Sequence, residues 1–283
     1  MCVMRERKIA TSDRTRMTIL RFEFSRLGKS FPSRRIAMKR LQGLWLAVAI
    51  LLATPAFATG QSGDAQVQAS IQNKIYHTRS FDRGQIQAAY DHGVATLTGS
   101  VDSLGTKLDA ERAARKVKGV EQVENNLVVN TEDIKPAQML VGARHEVLMY
   151  PRYTIFDNIE LAANGNTLVV SGQVTQPFKK GDLGNILAHV RGVAGLENNL
   201  EVLPTSNFDD QIRVRVARAI YGDPVFLSYR NQALPPIHII VKNGNVRLVG
   251  VVANQLDRQK AEMNARLAAT YFGLTNELRV DNS

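Results

Sequence analysis

The sequence is short of the residue types that most often carry chemistry. Cysteine occurs once, as Cys2. That excludes a disulfide within the chain and a thiolate metal site anywhere past that position. The five histidines are His77, His92, His145, His189 and His238, and no two stand at metal-ligand spacing. Ser103, Ser171 and Ser228 lack the Gly-x-Ser-x-Gly context of a nucleophile elbow. The Asn-Gly-Asn runs at 164–166 and 243–245 are not followed by a helix start, so they form turns and not phosphate cradles. The carboxylates of Asp209-Asp210 and of Asp109 with Glu111 fit a helix cap and a solvated helix face better than an acid–base pair. The expectation is a protein with no catalytic residue, no metal and no cofactor.

Charge is also scarce where it would matter for a polyanion. The formal charge is +10, but residues 1–58 hold 12 Lys and Arg against 3 Asp and Glu. The remaining residues hold 24 against 23, a net of +1. The basic character therefore belongs to the leader, and a nucleic-acid-binding body is not expected. The hydrophobic content of 44% is that of a folded chain.

The leader itself has an organised end. Met38-Lys39-Arg40 precedes an almost wholly apolar run from Leu41 to Ala53, and Ala56-Phe57-Ala58 supplies a small-x-small exit. This is the pattern of a cleaved secretory signal over residues 38–58, with the mature chain starting near Thr59. The run of about 13 apolar residues falls short of the roughly 20 that span a bilayer; the alternative is an uncleaved anchor formed by residues 41–58. Residues 1–37 read as a disordered or over-long leader upstream of the true start.

The body repeats. With Gly99, Gly172 and Gly250 as origins, 73 and 78 residues apart, Leu97, Val170 and Leu248 stand two positions earlier, and Val101, Val174 and Val252 two later. This alternation is a half-buried strand with the glycine on its inner face. At +11 and +15 stand Ala110, Leu183 and Ala261, then Ala114, Leu187 and Ala265, which share a helix face. Leu127, Leu200 and Leu278 at +28 begin the apolar pattern of a further strand. Before each glycine lie a helix and a strand, and the two strands are joined at His92-Gly93, Asn164-Gly165-Asn166 and Lys242-Asn243-Gly244, which favour tight hairpins. The fold class read from this is α+β: three tandem α-β-β-α-β units at 64–130, 137–204 and 209–283. Each is expected to be a three-stranded mixed sheet with two helices on one face.

These residues resemble a known family. A strand reading apolar-x-apolar-x-Gly-x-Val, an alanine-rich helix and then Gly119-Val120, Val123, Asn125 and Leu127 look like the BON domain, named for bacterial OsmY and nodulation proteins. The second copy matches with Gly192-Val193, Leu196, Asn198 and Leu200; the third has Tyr271-Phe272 in place of Gly-Val but keeps Leu274, Asn276 and Leu278. The resemblance implies a non-enzymatic exported protein of the bacterial envelope, attached to phospholipid surfaces, with a part in envelope or osmotic stress. The alternative is a scaffold or chaperone-like protein that binds other exported proteins.

The repeated residues are expected to be structural. Gly99, Gly172 and Gly250 would let a helix approach the sheet. Asn125, Asn198 and Asn276 would fix the chain entering the last strand through local side-chain-to-backbone bonds. Function is sought where the copies differ. The third carries a net +3 against −1 for the second and 0 for the first. Arg213, Arg215 and Arg218 on its first helix, with Phe226 and Tyr229 after it, form a candidate contact for an anionic membrane. The competing reading places Phe226 and Leu227 in the core. Lys107, Arg112, Arg115, Lys116 and Lys118 in the first copy form a rival patch.

Overall fold

The computed structural model describes residues 61–78 and 84–281. The signal-peptide reading of residues 38–58 and the reading of residues 1–37 lie outside the described residues. Among the described residues, no helix is long and apolar enough to cross a membrane.

Three units follow one another in the expected order. The first is α1 (Gln61–Tyr76), β1 (Gly84–Asp91), β2 (Val94–Val101), α2 (Leu104–Arg115) and β3 (Gln122–Val129). The second is α3 (Pro136–Met149), β4 (Asn158–Asn164), β5 (Thr167–Val174), α4 (Pro177–Ala188) and β6 (Gly195–Val202). The third is α5 (Asn207–Tyr221), a 3-10 turn over Pro224–Phe226, α6 (Leu227–Arg230), β7 (Ile237–Lys242), β8 (Asn245–Val252), α7 (Gln255–Ala268) and β9 (Gly273–Val280). In each sheet the central strand pairs antiparallel with the strand before it and parallel with the strand after it. The parallel pair requires a crossover, and α2, α4 and α7 supply it. The two helices of each unit cover one sheet face. Leu97, Val170 and Leu248 are fully buried there at equivalent positions, each in the core cluster of its own unit.

The crossover helices start five residues after the repeat glycine, with the cap position at the fourth, and the copies do not all solve the start alike. Ser103 and Asn254 accept from the backbone N–H of Thr106 and Asp257; Gln176 makes no side-chain cap and is followed by Pro177, whose missing N–H needs none. The hairpin turns behave as their residues dictate. His92-Gly93 and Asn243-Gly244 have positive φ at both positions, while in the middle turn only Gly165 does.

The repeat glycines have a different reason from the one expected. Their φ values are +122, +112 and +124. A Cβ would fall 1.9 Å from the Gln85 carbonyl oxygen in the first unit, 2.1 Å from that of Asn158 in the second and 1.9 Å from that of Pro236 in the third. The close approach is strand to strand, not helix to sheet, and Gly99 is solvent-exposed.

The units touch through specific bonds. Leu104 N–H donates to Val193 O, Gly192 N–H to Asp102 O, and His189 on the middle unit meets Asp109 on α2 at 2.8 Å. The segment before β4 runs along the free edge of β7, where Ile239 N–H donates to Ile155 O and the His238 ring, stacked on Tyr153, bonds Asp157 O at 2.7 Å. The Asp157 carboxylate is wholly buried. It accepts from Lys179 Nζ (2.6 Å), from the backbone and hydroxyl of Thr154, and from the backbone and hydroxyl of Thr175. A buried charge so fully partnered locks the lead-in of the middle unit to its crossover helix.

Candidate functional site

Helix α5 places its side chains on two faces. Ile212, Val216 and Ile220 enter the third core. Arg213 goes with them, against the expectation of a membrane contact. It is buried, paired with Asp210, and donates from Nη2 to Val241 O at 2.7 Å; its Nε has no partner. The cause is register: Arg213 follows Ile212 on the inward arc and reaches the end of β7. Phe226 and Tyr229 are corrected in the same way. Asp223 caps a 3-10 turn that folds Phe226 into the core, fully buried, with Tyr229 beside it at 5.7 Å between ring centroids. The Tyr229 hydroxyl bonds Asp257 and receives the Ala253 N–H; burial and that carboxylate push its pKa up to about 12. Leu227, the other residue expected in the core, stays half-exposed.

Two of the three arginines remain on the outer face. Arg215 and Arg218 are exposed, and among the described residues neither has an ion-pair partner. With Val214, Asn207, Asp210 and Gln211 they line a shallow open depression of about 500 Å³. The neighbouring helix α7, tied to α5 by Asn264 donating to Ala219 O, exposes Leu256 (75%) and Leu267 (81%) along with Met263. Val225 and Leu227, after α5, are exposed as well. Sequence reading looked for the aromatics and missed these aliphatics. The signal was available, since Leu256, Met263 and Leu267 lie at helical spacing off the core positions Ala261 and Ala265.

Three of the five residues of the rival patch on the first unit are engaged within it. Lys107 donates to Leu127 O at 2.7 Å, Arg112 pairs with Asp109, and Arg115 pairs with Glu111. Lys116 and Lys118 alone of the five stand exposed without a protein partner among the described residues.

The repeat asparagines sit within the last strands and reach further than a local bond. Each accepts the N–H two residues on with its Oδ1, as expected. Its amide also donates to the crossover helix: Asn125 to Lys107 O, Asn198 to Lys180 O and Asn276 to Arg258 O, at 2.9, 2.9 and 3.1 Å. Glu111 and Glu262 accept a second bond in the outer units; the middle unit has Gly184 there, and a Cβ on it would meet the Asn198 amide. These are straps between strand and helix. The carboxylate of Asp209, read as a cap, instead accepts the N–H groups of Asn243 and Gly244 and holds the third hairpin turn. Its counterpart Asp64 lies near Asp91 and His92 on the first turn. This is the group of ligand-type side chains that comes together among the described residues, and all three are at least partly exposed.

The family model described as BON domain matches residues 63–131 and 208–282. It leaves the middle unit unmatched. No curated protein matches the chain. Among solved structures, the C-terminal domain of CdsD, the structural protein of the Type III secretion system of Chlamydia trachomatis, is similar at 14% identity. That match has a TM-score of 0.20 and covers 75% of this chain and 96% of that one. The periplasmic domain of the inner-membrane protein PrgH from S. typhimurium is similar at 10% identity with a TM-score of 0.17, covering 74% and 100%.

Proposed function

We propose a non-catalytic role in the bacterial envelope for this chain, which belongs to the BON domain family. The middle unit is on this reading a third, diverged BON copy, since it repeats the same topology, glycine and asparagine strap. The chain is exported by a signal peptide cut near Thr59 and holds anionic phospholipid at the outer face of α5 and α7. One observation carries this: Arg215 and Arg218 stand exposed and without ion-pair partners among the described residues, and with exposed Val214 they line one open depression on α5 beside the exposed aliphatic side chains of α7. Cations on an exposed helix meet lipid phosphates, and the exposed Val214, Met263 and Leu267 offer aliphatic contact with the headgroup boundary. The membrane-facing residues of this proposal are therefore Arg215 and Arg218 without Arg213, Phe226 and Tyr229. The first two units then position the third, and a stress role follows from holding the envelope surface.

The test is flotation of the exported chain with vesicles. Vesicles containing phosphatidylglycerol should carry it upward at low salt and release it as salt screens the contact; pure phosphatidylcholine should not. Equal recovery with both compositions would remove the electrostatic reading. Absence of flotation together with suppression of client aggregation would favour the scaffold alternative.

A further inference from the structure

The joint between the first two units rests on features that one copy alone carries. His189, after α4, stands where the other copies have Lys116 and Leu267. Gly105, in the first turn of α2, stands where they have Phe178 and Leu256. The imidazole lies against the backbone of that glycine, since a Cβ there would fall 2.5 Å from its Cγ and Nδ1. Two backbone bonds flank the contact: Leu104 N–H donates to Val193 O at 2.8 Å and Gly192 N–H to Asp102 O at 2.9 Å. The Leu104 side chain packs against the middle core.

Both nitrogens of the His189 ring face oxygen. Nδ1 lies 2.7 Å from the Asn185 carbonyl of its own helix, and Nε2 lies 2.8 Å from the Asp109 carboxylate across the joint. A carbonyl and a carboxylate only accept, so the two bonds coexist only on a ring with a proton on each nitrogen. A neutral ring sets a bare nitrogen against one of these oxygens and loses the charge that faces the carboxylate. Asp109 stays ionised well below neutral pH. Burial by itself would raise its pKa, but the bonds from His189 and Arg112 outweigh burial and hold it below the ordinary carboxylate range. Asp102 also lies at the joint, its carboxylate taken up by the Ser103 and Thr106 hydroxyls; on the middle unit Arg191 is exposed.

We infer that the joint between the first and middle units is a proton-dependent clamp, closed on a doubly protonated His189 and loosened when that ring is neutral. Docking that uses the proton is favoured at acid pH and weakens as pH rises through the range where imidazole titrates. The two backbone bonds and the Gly105 contact do not titrate, so the joint loosens without separating. The inference does not depend on the lipid reading.

Amide exchange on the exported chain reads the clamp directly, because the Leu104 and Gly192 N–H groups cross the joint. Corrected for intrinsic exchange, their protection should fall about fivefold between about pH 5.5 and about pH 8, the factor that one hydrogen bond supplies. The Leu203 amide, bonded to Val174 O within the middle unit, should keep its protection. His189→Gln offers Asp109 a donor that does not titrate, and should show the same protection at both pH values. Asp109→Asn should flatten the profile too. Equal wild-type protection at the two pH values, a result that needs no variant, would overturn the inference. So would a fall of the same size in His189→Gln, or one shared equally by Leu203, which would assign the change to the whole unit.

Discussion

Gly250→Ala is the substitution that separates two physical accounts of the repeat glycine. If the glycine lets a helix approach, a single methyl is tolerated and damage grows with side-chain bulk. The structure predicts otherwise. Gly250 has φ +124, a region that side chains rarely adopt, and its Cβ would lie 1.9 Å from the carbonyl oxygen of Pro236. That oxygen also accepts the Val251 N–H at 3.3 Å, so moving it breaks a bond on the β7–β8 hairpin. Backbone strain of about 1–3 kcal/mol and one lost bond of about 1 kcal/mol give a cost near 3 kcal/mol, incurred already at alanine. Chemical denaturation should show that loss for Gly250→Ala, with Gly250→Val only about 1 kcal/mol worse. Hydrogen exchange should quicken along β7 and β8 before α7. A neutral Gly250→Ala beside a strongly destabilised Gly250→Val would refute the strand-to-strand account and restore helix packing.

Asn276→Ala removes two donated bonds and one accepted bond and should cost about 2–3 kcal/mol, read as a lower denaturant midpoint; Asn198→Ala, which lacks the glutamate partner, should cost less. Lys179→Met leaves the Asp157 carboxylate buried without its cation and should destabilise by about 3–5 kcal/mol by the same measurement. His238 is held below its ordinary pKa of 6.5 by burial, partly offset by the Asp157 carbonyl. Its contribution is complete above that value and is lost as pH falls below it toward the folded pKa. Between about pH 7.5 and pH 5.5 the thermal midpoint of the wild type should therefore fall more than that of His238→Asn, which keeps a donor but does not titrate.

Much of the architecture was legible because it is written three times. Period-2 alternation around Leu97, Val170 and Leu248, and the shared helix face at Ala110, Leu183 and Ala261, specify strand and helix wherever they occur. What repetition could not show are features found in one copy only. The carboxylate of Asp157 has Gly84 and Pro235 at its counterparts, so nothing in the pattern marks it as the centre of a buried network. The arginines at 213, 215 and 218 look like one patch in the sequence, but a helix turns Arg213 to a different side from Arg215 and Arg218. Phe226 and Tyr229 were ambiguous until the cap at Asp223 fixed the direction of the turn. A basic residue stands at +8 in every copy, as Lys107, Lys180 and Arg258, and its backbone carbonyl is what each asparagine strap grips.

The central claim is that the outer face of α5 binds an anionic membrane, and a matched pair of double variants tests it most directly. Arg215→Gln with Arg218→Gln removes the two exposed guanidinium groups and leaves buried Arg213 in place. At roughly 1 kcal/mol for each cation near the surface, affinity for phosphatidylglycerol vesicles at low salt should fall about thirtyfold. Lys116→Gln with Lys118→Gln, the same change of charge on the first unit, should lower it by less than about threefold. If the two variants lose affinity equally, or if the lysine pair loses more, the third unit is not the membrane-binding face.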